Sequence, residues 1–345
     1  MKKVILLFLT MYLMGCSPTN TLTMSVIEPA PVDLPPSMER IGIINRSESA
    51  EKDQVLEKID QVLSVEGKNL DKDGASESIT GLNEELKKND RFEKVAMLES
   101  EKLENPEFGV FPSPVSWDRI TEICKENQLD GLFSLEFYDT DSKFKYDAEK
   151  VTLEGPLGVE IPALEHYARA TTVIKTGWRI YDNTGRNIID EYVITESVTL
   201  DGRGVNPTKA AAAITGRKEA VQQISNEIGR SYALGIVPYQ TRVKRDYYVK
   251  GNENFKAAKR RAQTGNWDGA AEIWMQETKN SDPKIAGQAF YNMAIIHEIE
   301  GEMDQAIEWA RKSYEDFGTK LALRYLNILK DRKARIQILD RQQQQ

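Results

Sequence analysis

Cysteine and histidine are scarce in this 345-residue chain, which holds two of each. With cysteines only at positions 16 and 124, neither a C-x-x-C dithiol nor a multi-cysteine metal site can be built. The patterns H-E-x-x-H and G-x-S-x-G and the P-loop are missing as well. Metal-assisted hydrolysis, serine-elbow catalysis and nucleotide transfer therefore lack their usual residues. His166 falls in an irregular stretch, and His297 falls within a helical pattern where packing or solvation is the ordinary role. Carboxylate pairs such as Glu84 with Glu85, or Asp139 with Asp141, occur in any acidic chain, and glycosidase chemistry needs two acids converging in a cleft. The expectation is a protein that is not an enzyme and carries neither metal nor cofactor.

Positive charge is also in deficit, at a formal net charge of −8. Long-range repulsion from phosphate backbones then argues against a nucleic-acid partner. Residues 319–345 are a local exception, with Lys320, Arg324, Lys330, Arg332, Lys333, Arg335 and Arg341 against Asp331 and Asp340. Such a run reads as the solvated face of a terminal helix or as a contact for an acidic partner. No stretch approaches the roughly 18 consecutive apolar residues that a spanning helix needs.

What is present begins at the amino end. Lys2 and Lys3 precede an apolar stretch of eleven residues, 4–14, which leads into Leu13-Met14-Gly15-Cys16. Eleven residues at about 1.5 Å each fall short of a hydrocarbon core of about 30 Å, so the segment reads as a cleaved export signal. Leu13-Met14-Gly15-Cys16 resembles the lipobox of bacterial lipoproteins. The resemblance implies that residues 1–15 are removed and that Cys16 carries a covalent diacylglycerol and an N-acyl lipid, the only non-protein group expected. Ser17 after the cysteine implies outer-membrane delivery, on the periplasmic or the surface face. The membrane is then a partner through the lipid anchor, since two or three acyl chains hold a protein stably. Cys124 is left as the only thiol, so no internal disulfide forms and stability rests on core burial.

Residues 16–37 carry Pro18, Pro29, Pro31, Pro35 and Pro36 and read as an extended tether, with 22–27 as a candidate edge strand. Residues 38–250 read as an α+β domain with a mixed sheet and packed helices. Arg40-Ile41-Gly42-Ile43-Ile44-Asn45 has the near-continuous apolar run of a buried strand. Helical spacings follow in Val55, Ile59 and Val62 and in Ile79, Leu82 and Leu86, then a strand over 92–98. A helix from Ser116 puts Trp117, Ile120 and Cys124 on one face, which makes Cys124 core filler. A strand spans 129–137, and 139–166 reads as a long excursion or irregular hairpin. Period-two alternation over 170–180 and 187–200 gives a hairpin turned at Asp182-Asn183-Thr184-Gly185, with Gly185 free to take positive φ. A helix capped near Asn206, with Pro207 in its first turn, then runs to about Leu234.

This order of elements, carried by residues 40–47, 92–98, 129–137 and 178–185, resembles the amino-terminal domain of TolB, the curli-secretion lipoprotein CsgG and lipoprotein activators of peptidoglycan synthases. Residues 251–345 read as an all-α module. Gly265, Trp267, Ala270 and Trp274 align with Gly301, Met303, Ala306 and Ala310 at a spacing of 36. Ala294, Gly301, Ala306 and Ala310 resemble the small and turn positions of tetratricopeptide repeats, with 319–340 as a capping helix; Asn254 departs from that family's pattern. In that family the first helix of each repeat lines a groove for partners, which here implies Phe255 and Lys259 in one unit and Gln288, Tyr291 and Glu298 in the next. The function expected is a membrane-anchored envelope scaffold for another envelope protein. Glycan capture for nutrient uptake and a CsgG-like oligomeric assembly are the alternatives, though the charges at Asp139, Asp141, Lys143, Lys145, Asp147, Glu149 and Lys150 oppose a lipid-facing barrel wall.

Overall fold

The computed structural model describes residues 17–47, 70–99, 103, 111–154 and 160–343. The signal segment, Cys16 and the helical spacing of Val55, Ile59 and Val62 lie outside the described residues. The chain forms two compact units, residues 30–237 and residues 1–29 with 238–344.

The first unit is α+β. In chain order it comprises β2 (Arg40–Asn45), α1 (Leu70–Leu86), β3 (Lys94–Met97), α2 (Trp117–Asn127), β4 (Gly131–Glu154), β5 (Glu160–Asp182), β6 (Asn187–Gly204), α3 (Pro207–Ala212) and α4 (Arg217–Leu234). The strands form one mixed sheet in the order β3-β2-β4-β5-β6. β2 runs parallel to β3 and β4, while β4–β5 and β5–β6 are antiparallel. Ile41, Ile43 and Ile44 are buried, as expected of a run covered on both faces. On one face Phe133, Leu135, Trp178 and Ile180 pack with Leu82, Val221, Ile228 and Tyr232 of α1 and α4. On the other, Ile44, Leu132 and Tyr181 pack with Ile120, Ile123 and Cys124 of α2.

Three expectations change. Residues 139–166 are regular strand wherever the structure describes them, so β4 and β5 form a hairpin of 24 and 23 residues. The charges there fall on every second residue, from Asp139 to Glu149, with Thr140, Ser142, Phe144, Tyr146 and Ala148 between them. That is the period of two of a strand, with the alternate residues half-buried as far as Phe144 and both faces exposed from Lys145 to Lys150. The long carboxy-terminal helix of the domain is broken in two, with Gly216 at φ +76° between α3 and α4. The hairpin turn uses Arg186 at φ +50°, not Gly185, and Asp182 Oδ1 accepts from the backbone N–H groups of Thr184 and Gly185.

The second unit pairs β1 (Thr19–Glu28) antiparallel with β7 (Tyr239–Tyr248), followed by α5 (Glu253–Gln263), α6 (Trp267–Glu277), α7 (Pro283–Ile299), α8 (Met303–Glu315) and α9 (Lys320–Gln343). By its contacts β7 groups with this unit, which takes up the chain again at residue 238, and residues 19–28 of the expected tether, around the candidate strand at 22–27, are the strand paired with it. The reason lies at the end of β7, where Tyr247 sits edge-on to Trp267 and Trp274 and Tyr248 edge-on to Tyr291. The self-match is visible in the backbone: Gly265 and Gly301 take φ of +81° and +83°, and Ala270, Trp274, Ala306 and Ala310 are fully buried.

Candidate functional site

The residues expected to line a partner groove lie inside the helical unit. Phe255, Gln288, Tyr291 and Glu298 are all buried, and Lys259 is half-buried, so these positions present no open groove. Tyr291 and Glu298 are covered by side chains of the chain's own β7 and α9. The side chain of Asn292 acts like a neighbouring strand, accepting from the Tyr248 N–H and donating to the Tyr248 carbonyl at 2.7 Å each. Arg245 donates to both oxygens of Glu298, also at 2.7 Å each, and Tyr325 Oη donates to Glu298 at 2.6 Å. Burial opposes the Arg245 charge, but the Glu298 hydrogen bonds and Coulomb attraction more than offset it and hold the guanidinium above its ordinary value. Burial and then Glu298 keep the Tyr325 phenol neutral, far above its ordinary range. Asn292 and Arg245 were legible only as an interruption of the apolar run in α7 and as one basic residue among several in β7.

A second polar cluster lies within the sheet unit. A β-bulge between Leu135 and Phe137 turns the intervening Glu136 inward, where it is fully buried. Arg46 Nη1 donates to Glu136 at 2.7 Å, Tyr181 Oη donates at 2.8 Å, and Arg179 Nη1 stands 3.4 Å away. The same groups hold the segment before α2: Arg46 donates to the Ser113 carbonyl, Arg179 to the Pro112 carbonyl, and Tyr181 Oη accepts from the Val115 N–H. The Tyr181 hydroxyl is pushed up to about 12 by burial, with Glu136 adding to it. With every member occupied and enclosed, this cluster is a clamp on residues 112–115.

The exposed feature is the ribbon made by the outer parts of β4, β5 and β6. β2 pairs with β4 only as far as Leu135, so from there to Glu154 β4 has β5 as its one neighbour among the described strands, and β6 likewise has only β5. The ribbon therefore has two long edges whose outward N–H and C=O groups meet no other described strand. One face of it carries a cleft of about 500 Å³ lined by Lys145, Asp147, Tyr167, Arg169, Asp201 and Arg203. Arg169 pairs with Asp201 at 2.6 Å, Tyr167 Oη donates to Glu165 at 2.6 Å, and the Arg203 guanidinium stands 5.1 Å from the Tyr167 ring centre. The Arg169 hydrogen bond lowers the Asp201 carboxyl below its ordinary value, and the Glu165 hydrogen bond raises the Tyr167 phenol. Tyr146, Leu164, Tyr192 and Val193 are exposed on the same three strands. Among the described residues no helix is long and apolar enough to cross a membrane.

Residues 38–248 match the family described as "Domain of unknown function (DUF8603)", and residues 256–331 match "Domain of unknown function (DUF6340)". No curated protein matches the chain. Among solved structures, the PelC dodecamer from Paraburkholderia phytofirmans is 8% identical, with 63% of this chain and 97% of that chain covered at a TM-score of 0.26. A point variant of that protein is also 8% identical, with 63% and 99% covered at 0.27.

Proposed function

This chain belongs to the family described as a domain of unknown function, DUF8603, and we propose that it is a lipid-anchored, non-enzymatic scaffold of the outer membrane that binds a protein partner along the edges of its β-ribbon. The reading combines two supports. Leu13-Met14-Gly15-Cys16 supplies the acylation signal, with Cys16 as the lipid-bearing residue. The observation that carries the binding role is that the outer edges of β4 and β6 pair with no other described strand, at the end of a hairpin whose strands far exceed the five or six residues of a typical strand. A guest strand laid on such an edge gains a row of main-chain hydrogen bonds, each worth about 0.5–1.5 kcal/mol net, while side chains on alternate positions give specificity.

The test shortens the ribbon without disturbing its register. Tyr146 pairs directly with Ala168, so replacing residues 147–167 by Asn-Gly closes the hairpin with a two-residue turn. Both chains are crosslinked in intact envelopes and purified after a check of their circular dichroism. The reading expects a partner enriched with the full-length ribbon and lost with the shortened one. Equal recovery from the two folded chains would reject it.

A second occupant, another copy of the chain, is favoured by one observation. β4 and β6 both run antiparallel to β5, and in the shared rows Lys145 stands level with Asp201 and Asp147 with Arg203. A neighbouring copy set edge to edge in register would bring Asp201 against Lys145 and Arg203 against Asp147, pairs of opposite charge. Within one chain β5 separates Lys145 from Asp201 by two strand spacings, about 9.5 Å, too far for a disulfide. A chain carrying Lys145→Cys and Asp201→Cys therefore forms a disulfide-linked ladder only if copies meet at these edges.

A further inference from the structure

The turn between α7 and α8 carries His297 in the last turn of one helix, Glu300 at that helix's C-cap, Gly301 at φ +83° and Glu302 at the N-cap of the next helix. The left-handed glycine reverses the chain between the two glutamates, and both carboxylates return to one ring nitrogen. Glu302 Oε2 lies 2.7 Å and Glu300 Oε2 3.3 Å from His297 Nδ1. An imidazole nitrogen carries at most one hydrogen, so it satisfies only one of these oxygens fully. Among the described residues neither glutamate is paired with a lysine or arginine, which leaves two carboxylates facing one nitrogen with no fixed cation beside them.

Two further features set this turn apart. Glu302 occupies a helix N-cap but makes no capping hydrogen bond, whereas Ser116, Asn206, Asn252, Asn266 and Asp282 all cap their helices with the side chain. Its carboxylate is turned away from the helix and toward the imidazole. The His297 ring is itself held in place, stacked on Trp309 at 6.0 Å between centres and 17° between planes, with a side chain only 13% exposed.

We propose that His297 Nδ1, Glu300 and Glu302 bind one divalent cation of the zinc class, which bridges α7 to the start of α8. One imidazole nitrogen and two carboxylate oxygens, completed by water, form an N/O donor set that zinc accepts. Donors about 2.0–2.2 Å from a tetrahedral zinc ion stand about 3.3 Å apart. The three donor atoms here already lie within 4.8 Å of one another, and the imidazole is the fixed member of the set. The two glutamates are 43% and 46% exposed, so small rotations of their side chains close the site without moving the backbone. This inference is independent of the ribbon's role as a binding edge.

The chain has only two histidines, which makes the test direct. The mature full chain is titrated with zinc chloride while the imidazole nitrogens of His166 and His297 are followed by NMR and the stoichiometry by calorimetry. The proposal expects one zinc per chain, a shift of His297 Nδ1 and no shift of His166. It expects affinity to fall about tenfold or more in both Glu300→Gln and Glu302→Gln, and the shift and the site to vanish in His297→Gln. The two glutamate substitutions lie on an exposed turn, and circular dichroism verifies that each variant, His297→Gln included, is folded. Zinc uptake that leaves His297 unmoved, or undiminished affinity in the Glu302→Gln chain, would overturn it.

Discussion

Arg245 and Glu298 meet as a two-armed pair, with Nε and Nη2 each 2.7 Å from a separate carboxylate oxygen and with no exposed surface on the Glu298 side chain. The pair ties β7 to α7 and occupies the place where a partner's side chain would have to enter the expected groove. A charge so enclosed is stable only while its partner is present. Glu298→Gln leaves Arg245 buried and undercompensated, with an expected loss of about 3–5 kcal/mol in the stability of the helical unit. Urea unfolding followed by tryptophan fluorescence should show the midpoint falling with an unchanged slope.

The crossing of α1 and α4 depends on glycines. A Cβ at Gly229 would run into the Ser78 carbonyl oxygen, and one at Gly81 into the Asn226 carbonyl oxygen. Alanine is the better helix former by about 1 kcal/mol, yet Gly81→Ala and Gly229→Ala are each expected to destabilise by about 1–3 kcal/mol, because backbone must separate from backbone. Thermal unfolding of the two variants checks the sign, which helix propensity alone would reverse.

Glu136 holds a segment as well as filling a core position. Glu136→Gln keeps the shape but removes the charge that Arg46 and Arg179 share, and with it the fixed donors to the Ser113 and Pro112 carbonyls. The Val115 N–H, which donates to Tyr181 Oη, should exchange with deuterium at least about tenfold faster, equivalent to about 1.4 kcal/mol of easier local opening.

The sequence carried the α+β class, the buried run at 41–44, the helix starting near Ser116 and the repeated turn at Gly265 and Gly301, because each has a local cause in periodicity or glycine. It did not carry the regularity of 139–166, since dense charge reads as loop until its period of two is counted. Nor did it carry the filling of the groove. Tyr291 and Glu298 have the same spacing on α7 whether they face solvent or β7, and what covers them comes from Tyr248 and Arg245, more than 40 residues away in sequence. The inward turn of Glu136 depends on a bulge that no residue type announces.

Cys124 was legible as core, and its chemistry follows. Burial pushes the thiol up to about 12, so the reactive thiolate is almost absent at neutral pH. Native protein at pH 8 should resist a thiol reagent for hours, and the same protein in denaturant should react with one equivalent once Cys16 is acylated. Labelling of the native chain at the rate of the unfolded one would contradict this burial.

The most direct test of the ribbon as the binding surface is site-specific photo-crosslinking in living cells that produce the full chain. The probe is placed at the exposed Asp147 on the open edge of β4, within the outer ribbon, and, separately, at the exposed Lys256 on α5. The account predicts a discrete adduct, with a partner or with a second copy, from position 147 and none from position 256. An adduct from 256 with none from 147 would contradict it and return the binding role to the helical unit.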